Sequence, residues 1–193
     1  GIAGAAYGAD LSQALIGSTF LTAGAMAQAN DVNDVKNNSW GPIDNGLIDT
    51  MSPVIADAIE EAIDEGRGGL GEIFVWAGGN GAALSDRVDY DPFASSRYTI
   101  AVAAVGNDQV QSDYSEPGAS LLISAYSDGG TAGITTTNVG GGYTFNFGGT
   151  SASAPAVSGI VALMLEANPQ LTWRDVQHIL VETAELIDPG DED

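Results

Sequence analysis

Two short apolar runs constrain the fold of this chain more than any other feature of its sequence. Residues 72–77 (EIFVWA) and 98–105 (YTIAVAAV) predict buried strands, and each is followed by a segment rich in turn-forming residues. A third run of this kind spans residues 121–126. Because these runs alternate with segments of helical periodicity, we expect a three-layer α/β sandwich with a largely parallel central sheet.

Two segments have the periodicity or composition of core helices. Between residues 54 and 63, apolar side chains recur at helical spacing with acids on the other face, and Gly66 suits the end of that helix. Residues 156–167 are apolar almost all round, which predicts a helix buried on every side.

The last helix and one loop are predicted from local signals. Thr172 and Asp175 resemble a capping box, so a helix is expected from there to about Thr183. Residues 127–143 are rich in Gly and Thr and predict a loop or a hairpin.

The chain is strongly acidic, with 26 acidic and 5 basic residues and a net charge of −21 at pH 7. This charge argues against nucleic acid and anionic membranes as partners, and it favours metal cations or basic peptides. Solubility in a salty or calcium-rich medium is an equally open interpretation. Cysteine is absent, so neither disulfides nor thiolate chemistry are expected.

A length of 193 residues suits one domain with a hydrophobic core. We assign residues 1–187 to that domain and residues 188–193 to an acidic tail or linker. No apolar run reaches the roughly 20 residues that span a bilayer, and no signal peptide is visible.

One motif, GGTSASAP at residues 148–155, contains a candidate nucleophile. We expect Ser151 at the N-terminus of a helix, with Pro155 in the first turn, where its missing N–H is not needed. Unpaired N–H groups and the helix dipole would stabilise an oxyanion there. The alternative is a helix of small residues that packs against the sheet and is merely capped by Ser151.

A second motif, WAGGNG, follows the predicted strand at 72–77 and contains Asn80. At the carboxyl end of a parallel strand, the Asn80 amide could donate to an oxyanion. Asn80 could also be a turn residue between glycines. A phosphate-binding loop is a third interpretation, although no Lys follows the glycines and no complete GxGxxG motif is present.

Together these motifs resemble those of the subtilisin-like serine endopeptidases. SWGP, WAGGNG and GTSASAP occur in the order and rough spacing of that family, and further stretches resemble its kexin/furin branch, at residues 66–76, 114–116 and 171–178. The resemblance extends from Gly4 to about Thr183. It implies a subtilisin-like fold, hydrolysis of peptide bonds through an acyl-enzyme, and a secreted or extracytoplasmic location.

The resemblance implies catalytic and backbone-binding roles for several residues. Ser151 would be the nucleophile, and Asn80 would be the side-chain donor to the oxyanion. A short edge segment would pair with an extended peptide substrate, and it consists of Ser39, Trp40, Gly41 and Pro42.

The resemblance also implies roles for five acids. Asp44 and Asp91 match acids of a pocket that takes the arginine or lysine before the cut, and Asp49 matches an acid that holds a basic residue further upstream. A calcium ion beneath the pocket would be held by Asp44, Asp86 and Glu116. Carboxylate oxygens from separate loops suit this hard cation.

The family's catalytic Asp and His have no matching motifs in this sequence, and the only histidine, His178, matches a packing residue. Residues 1–4 resemble the end of a further calcium-binding loop. We therefore expect an N-terminally truncated, kexin-like, calcium-dependent serine endopeptidase that is inactive alone. The alternative is a catalytically inactive module that binds calcium and peptides.

Overall fold

The computed structural model describes residues 4–187 and contains the expected parallel sheet. Four strands lie side by side in chain order: β1 (Val35–Asn38), β2 (Ile73–Ala77), β3 (Thr99–Val105) and β4 (Leu121–Tyr126). The three predicted strands agree with β2, β3 and β4 to within one residue. Strand β1 was not predicted, because its sequence VKNN contains only one apolar residue.

Helices cover both faces of the sheet, which confirms the three-layer sandwich. A hydrophobic core lies on each face of the sheet, and alternate side chains of β2 pack into one or the other. Phe74 and Trp76 belong to the first core, and Ile73 and Val75 belong to the second. The first face packs against α1 (Thr19–Met26) and α2 (Pro53–Gly69), and the second against α3 (Thr150–Ala167) and α4 (Trp173–Thr183).

The ends of two helices follow their sequence signals. The backbone of α2 leaves helical geometry at Gly66, where ψ is 149°. At α4, the Asp175 N–H donates to the Thr172 hydroxyl over 3.1 Å, and the Thr172 N–H donates to the Asp175 carboxylate over 2.9 Å. This is the predicted capping box, and the helix ends at Thr183 as expected.

Helix α3 differs from its prediction in two respects. It begins at Thr150, so Pro155 lies in its second turn rather than its first. Its burial is one-sided: Val161 is fully buried against the sheet, but Ile160 is 47% exposed and Leu163 is 43% exposed. The prediction of a helix buried on every side was wrong, because in the described residues only one face of α3 meets the sheet. By length and composition alone α3 could span a membrane, but here it packs on all four strands.

The connection between β4 and α3 contains the predicted hairpin. Strands β5 (Ile134–Thr137) and β6 (Tyr143–Phe147) pair antiparallel, and β6 leads directly into the glycines before α3. The sheet and this connection therefore place the start of α3 at the carboxyl ends of the strands. The acidic tail assigned to residues 188–193 lies outside the described residues.

Candidate active site

A cleft of about 220 Å³ lies where the ends of β1 and β2 meet the start of α3. Side chains from several separate loops line it, as expected at the carboxyl edge of a parallel sheet. Every residue that the sequence assigned to the site lies along it: Ser39, Trp40, Gly41, Pro42, Asp44, Asp49, Asn80, Asp86, Asp91, Glu116 and Ser151.

Ser151 is the second residue of α3, so its prediction at a helix N-terminus is confirmed. Gly149 occupies the N-cap position, and no side chain caps the helix from that position. Ser151 therefore does not cap the helix, so that part of the alternative is wrong, although α3 does pack against the sheet. Its hydroxyl is half-buried and lies 3.4 Å from the carbonyl oxygen of Ser39.

The shifted position of Pro155 explains why Ser39 lies against Ser151. In an α-helix the N–H of residue 155 would donate to the carbonyl of residue 151, but proline has no N–H. The Ser39 hydroxyl donates to the Ser151 carbonyl over 3.1 Å instead. The proline thus leaves open an acceptor that ties the segment after β1 to the residue at the centre of the cleft.

Asn80 is held by the first residue of α3. Its Oδ1 accepts the Thr150 N–H at 2.8 Å and lies 3.1 Å from the Thr150 hydroxyl. Because Oδ1 is engaged in this way, the amide nitrogen at the other end of the side chain is directed away from these donors. Asn80 is therefore more than a turn residue between glycines.

The segment Ser39 to Gly41 is held in place from below by aromatic side chains. The Trp76 indole N–H donates to the Trp40 carbonyl over 2.7 Å, and the rings of Trp40, Trp76 and Phe93 pack with centroids 4.7–5.1 Å apart. The Trp40 ring thus belongs to a supporting cluster. Because successive side chains of an extended segment point in opposite directions, the Ser39 side chain is directed away from that cluster and contacts the Ser151 carbonyl.

Three of the carboxylates that line the cleft lie close together. One oxygen atom from each of Asp44, Asp86 and Glu116 lies within 4.8 Å of the others, and Asp86 and Glu116 are buried. The two glycines that flank Asn80 make this possible. A Cβ atom on Gly79 would lie 2.3 Å from the Glu116 carboxyl group, and one on Gly81 would lie 2.6 Å from Asp44 Cβ. The glycines therefore admit carboxylates, and a phosphate-binding loop here is wrong on charge grounds.

Backbone N–H groups orient the three carboxylates. Asp86 Oδ2 accepts the N–H groups of Asn45 and Gly46 at 2.6 and 3.0 Å, and Glu116 Oε1 accepts the Gly81 N–H at 2.9 Å. Burial is the main reason that the pKa of Glu116 rises to about 7; the Gly81 N–H lowers it, and the charges of Asp86 and Asp44 raise it. Such a concentration of oxygen ligands and negative charge is suited to a hard cation such as calcium.

Asp91 lies at the cleft with one oxygen free. Its Oδ1 accepts the N–H groups of Phe93 and Ala94, whereas its Oδ2 lies against Gly41, where an added Cβ would be 2.8 Å away. Burial raises its pKa to about 6, the two N–H groups lower it, and the charges of Asp49 and Asp44 raise it. Asp49 is exposed and is the outermost of these acids.

Sequence reasoning missed two residues beside the site. Asp128 and Tyr114 bond the backbone of Gly149, two residues before Ser151. Tyr114 stood out only as part of a family-like stretch, and Asp128 was absorbed into a predicted loop. The only histidine, His178, is exposed on α4 and does not line the cleft.

Comparison with known proteins identifies the family. The family model described as the subtilase family matches residues 1–192. The chain belongs to the subtilase family. It is 41% identical over 170 residues to endoprotease bli-4 of Caenorhabditis elegans and 40% identical over 168 residues to kexin of Candida albicans. Each match covers 86% of this chain but 18% of the relative, so the chain spans about a fifth of their length.

Solved structures agree with the fold of this subtilase. A serine protease of Aeromonas sobria superposes with a TM-score of 0.78 at 21% identity, covering 90% of this chain and 37% of that one. A cold-adapted subtilisin-like serine proteinase superposes with a TM-score of 0.69 at 23% identity, covering 86% and 55%. At these identities the likeness concerns the fold, and it confirms the subtilisin-like sandwich.

Proposed function

We propose that this chain carries the nucleophile, the oxyanion donor and the specificity pocket of a calcium-dependent serine endopeptidase that cuts after basic residues. The observation that carries the proposal is the single cleft in which Ser151, Asn80 and the carboxylates of Asp44 and Asp91 meet. Its relatives named endoprotease and kexin agree with a peptide-cleaving activity.

In this proposal Ser151 attacks the carbonyl carbon of the peptide bond and gives its proton to the base, which passes it to the amine that leaves as the C–N bond breaks. Water then hydrolyses the acyl-enzyme and restores the Ser151 hydroxyl. The seat of Ser151 at the start of α3 supplies a backbone N–H and the positive end of the helix dipole. The Asn80 amide nitrogen, left free because Oδ1 is engaged by Thr150, is the second donor to the oxyanion. Loss of one such donor costs about 2.7–4 kcal/mol of transition-state stabilisation in known enzymes.

The substrate backbone pairs with the edge segment from Ser39 to Pro42. This segment continues β1, which lies at the edge of the sheet within the described residues. The aromatic cluster of Trp40, Trp76 and Phe93 fixes it before any substrate arrives. A preformed edge lowers the entropic cost of binding an extended peptide.

Selection for a basic residue follows from the acids along the cleft. The free Oδ2 of Asp91 and the carboxylate of Asp44 form the base of the pocket, and the exposed Asp49 meets a basic residue further upstream. Charge-assisted bonds to arginine or lysine are the strongest contacts that such a pocket can offer. The same acids disfavour an acidic side chain at this position.

Calcium occupies the trio Asp44, Asp86 and Glu116 in this proposal. The donor set fits, because the oxygens converge and two of the three carboxyl groups are buried without a cationic side chain within the cluster. When bound, the ion supplies positive charge that holds the loops of the pocket together. We place the protein in an extracytoplasmic compartment, where calcium is plentiful.

The base that accepts the Ser151 proton comes from outside these 193 residues in this proposal. Within the described chain no histidine lines the cleft, and His178 is exposed on α4. A serine without its base accelerates the reaction only weakly, by about 10³–10⁴-fold over the rate in water. The competing function is a catalytically inactive module that binds calcium and peptides.

A fluorophosphonate probe separates these functions. We expect it to label Ser151 in the longest natural polypeptide that contains this sequence, and to leave the 193-residue chain unlabelled; peptide mass spectrometry locates the adduct, and Ser151→Ala is the control. Labelling of the isolated chain would mean that a base lies within it. No labelling of either form would overturn the peptidase and leave the binding module.

Asp91→Ala tests the specificity in the active polypeptide. We expect kcat/KM for a fluorogenic peptide with arginine before the cut to fall at least tenfold more than for the same peptide with a neutral residue, because only the former loses an ion pair. Equal losses on both substrates would contradict the assignment of Asp91.

A further inference from the structure

Gly149 precedes Thr150 and Ser151, and side chains bond both its N–H and its carbonyl group. Its N–H donates to Asp128 Oδ1 over 2.9 Å and lies 3.1 Å from the Tyr114 hydroxyl. Its carbonyl accepts the Ser127 hydroxyl at 2.8 Å. Gly149 has a φ of 78°, so the chain turns sharply here into α3. The direction in which Ser151 leaves that turn depends on these bonds.

Two of these three side chains, Tyr114 and Asp128, are also bonded to one another. The Tyr114 hydroxyl donates to Asp128 Oδ1 over 2.5 Å, which leaves its oxygen free to accept from Gly149. Burial alone would raise the pKa of Asp128, but the bonds from Tyr114 and Gly149 hold it below its ordinary value. The carboxylate is therefore ionised, and ionised acceptors make stronger bonds to N–H donors.

Gly148 completes the arrangement by leaving space for the carboxylate. A Cβ atom on Gly148 would lie 1.9 Å from Asp128 Cγ, a distance that no real contact allows. The Asp128 carboxylate thus packs directly on the backbone of the residue before Gly149. On the far side, Asn80 holds the Thr150 N–H. Asp128 thus holds the N–H of Gly149, and Asn80 holds the N–H of the next residue, Thr150.

We propose that Asp128, together with Tyr114, positions the backbone before Ser151 so that the Ser151 hydroxyl and N–H face the cleft. Asp128 and Tyr114 do not line the cleft in the described structure, so they act through Gly149 rather than on the substrate. The inference rests on the proposed peptidase function of Ser151. It adds a carboxylate and a phenol that neither the motifs nor the comparisons assign.

Kinetics of the active polypeptide test the proposal. We expect Asp128→Ala to lower kcat about 10- to 100-fold and to leave KM within about twofold, because a nucleophile displaced by about 1 Å loses rate while the pocket is untouched. Asp128→Asn keeps an acceptor for both donors and should recover most of kcat. Asp113→Ala, an exposed acid in the same segment as Tyr114, is the matched control and should change neither constant.

Amide hydrogen exchange in the 193-residue chain gives a readout that needs no activity. Asp128→Ala should accelerate exchange at Gly149 and Thr150, whereas Asp128→Asn should not. Where Asp128→Ala fails to fold, Tyr114→Phe is measured instead, because it keeps the ring and removes only the hydroxyl; we expect a loss of about 3- to 10-fold in kcat from the weakened hold on Gly149.

The outcomes distinguish the two proposals. If Ser151→Ala abolishes turnover but Asp128→Ala and Tyr114→Phe keep kcat within twofold of the wild type, the positioning role is overturned. If Asp128→Ala raises KM as much as it lowers kcat, or if Asp128→Asn recovers nothing, the residue is merely structural and the proposal also fails. If Ser151→Ala retains full turnover, the peptidase assignment itself is wrong.

Discussion

Glu72 and Glu116 are both buried, and burial is the main reason that the pKa of each rises to about 7. The charged side chains beside them, however, are of opposite sign. Glu72 directly precedes β2 at the amino end of the sheet, and its carboxylate lies 2.7 Å from Lys36 Nζ. Glu116 lies at the opposite end, where its neighbours are Asp44 and Asp86. One carboxyl group meets a cation of the same chain, and the other meets only further anions.

The difference teaches how each end of the sheet deals with buried charge. At the amino end, the Lys36 ammonium group supplies the positive charge beside Glu72. The same group also contacts the Met26 carbonyl and Asn30 Oδ1. Even so, Glu72 Oε1 has no hydrogen-bond donor among the described residues, and the contact with Lys36 is a close ion pair rather than a well-aligned hydrogen bond. In our proposal the cleft end takes its positive charge from calcium instead.

The largest expected effect comes from breaking the internal pair. Glu72→Ala leaves the Lys36 ammonium group buried without its partner, which should lower the free energy of unfolding by about 3–5 kcal/mol in urea denaturation at pH 7. The double variant Lys36→Met/Glu72→Leu removes both charges and should be neutral or stabilising. A loss below about 1 kcal/mol for Glu72→Ala would show that the pair is solvated.

Removing a carboxylate from the cleft end tests the external cation. The wild-type chain should gain about 2.7 kcal/mol when free calcium reaches about 100 times its dissociation constant. Asp86→Ala or Glu116→Ala should abolish this calcium-dependent rise in Tm, whereas Asp57→Ala, on the exposed face of α2, should keep it. An unchanged calcium response in both cleft variants would contradict the proposed site.

The pH dependence of stability sharpens the contrast with a smaller effect. Because folding raises the pKa of Glu72 from 4.5 to about 7, its contribution to stability is present below pH 4.5 and is lost as pH rises through 7. Folding lowers the pKa of Lys36 from 10.5, so its effect on stability has the opposite sign. Stability rises with pH as Lys36 loses its proton, at pH values between its lowered pKa and 10.5. Glu72→Gln should therefore become increasingly stable relative to the wild type between pH 4.5 and 7.

Thermal unfolding of both proteins across that range measures the difference. A gap between the two Tm values that stays constant from pH 4.5 to 7 would mean that Glu72 does not titrate there. Taking the difference between the variants cancels the other acids whose pKa values are raised.

The smallest effect is expected at a surface pair that serves as the reference for both ends. Arg87 lies 3.5 Å from Asp89, and both side chains are partly exposed. Solvent screening should limit the cost of Arg87→Ala to about 0–1 kcal/mol in the same denaturation assay. A cost as large as that of Glu72→Ala would remove the distinction between buried and exposed charge on which the comparison rests.

Local patterns were sufficient to predict most of the fold. The apolar runs located β2, β3 and β4, Gly66 marked the end of α2, and the Thr172–Asp175 pair marked the start of α4. Each of these signals lies within the element that it defines. Strand β1 and the exposed face of α3 could not be predicted in this way, because they depend on what packs beside them.

The residues of the candidate site could be predicted from local motifs, but the contacts that support them could not. These residues were found because short motifs mark Ser151 and Asn80, and the acids stand at fixed spacings from such motifs. The supporting contacts join residues distant in sequence: Lys36 with Glu72, Ser39 with Ser151, and Asp128 with Gly149. Glu72 read as the first residue of an apolar strand, and no local pattern indicates its partner across the sheet.

All five basic side chains lie within the described residues, and each is engaged by its own chain. Lys36, Arg67 and Arg87 contact acids, while Arg97 and Arg174 lie over the rings of Tyr98 and Trp173. Little positive charge is therefore left to offset the negative electrostatic potential of a chain with net charge −21. Positively charged molecules should drift towards it and encounter it faster at low ionic strength, and added salt should slow that capture as the screening length shrinks below about 10 Å.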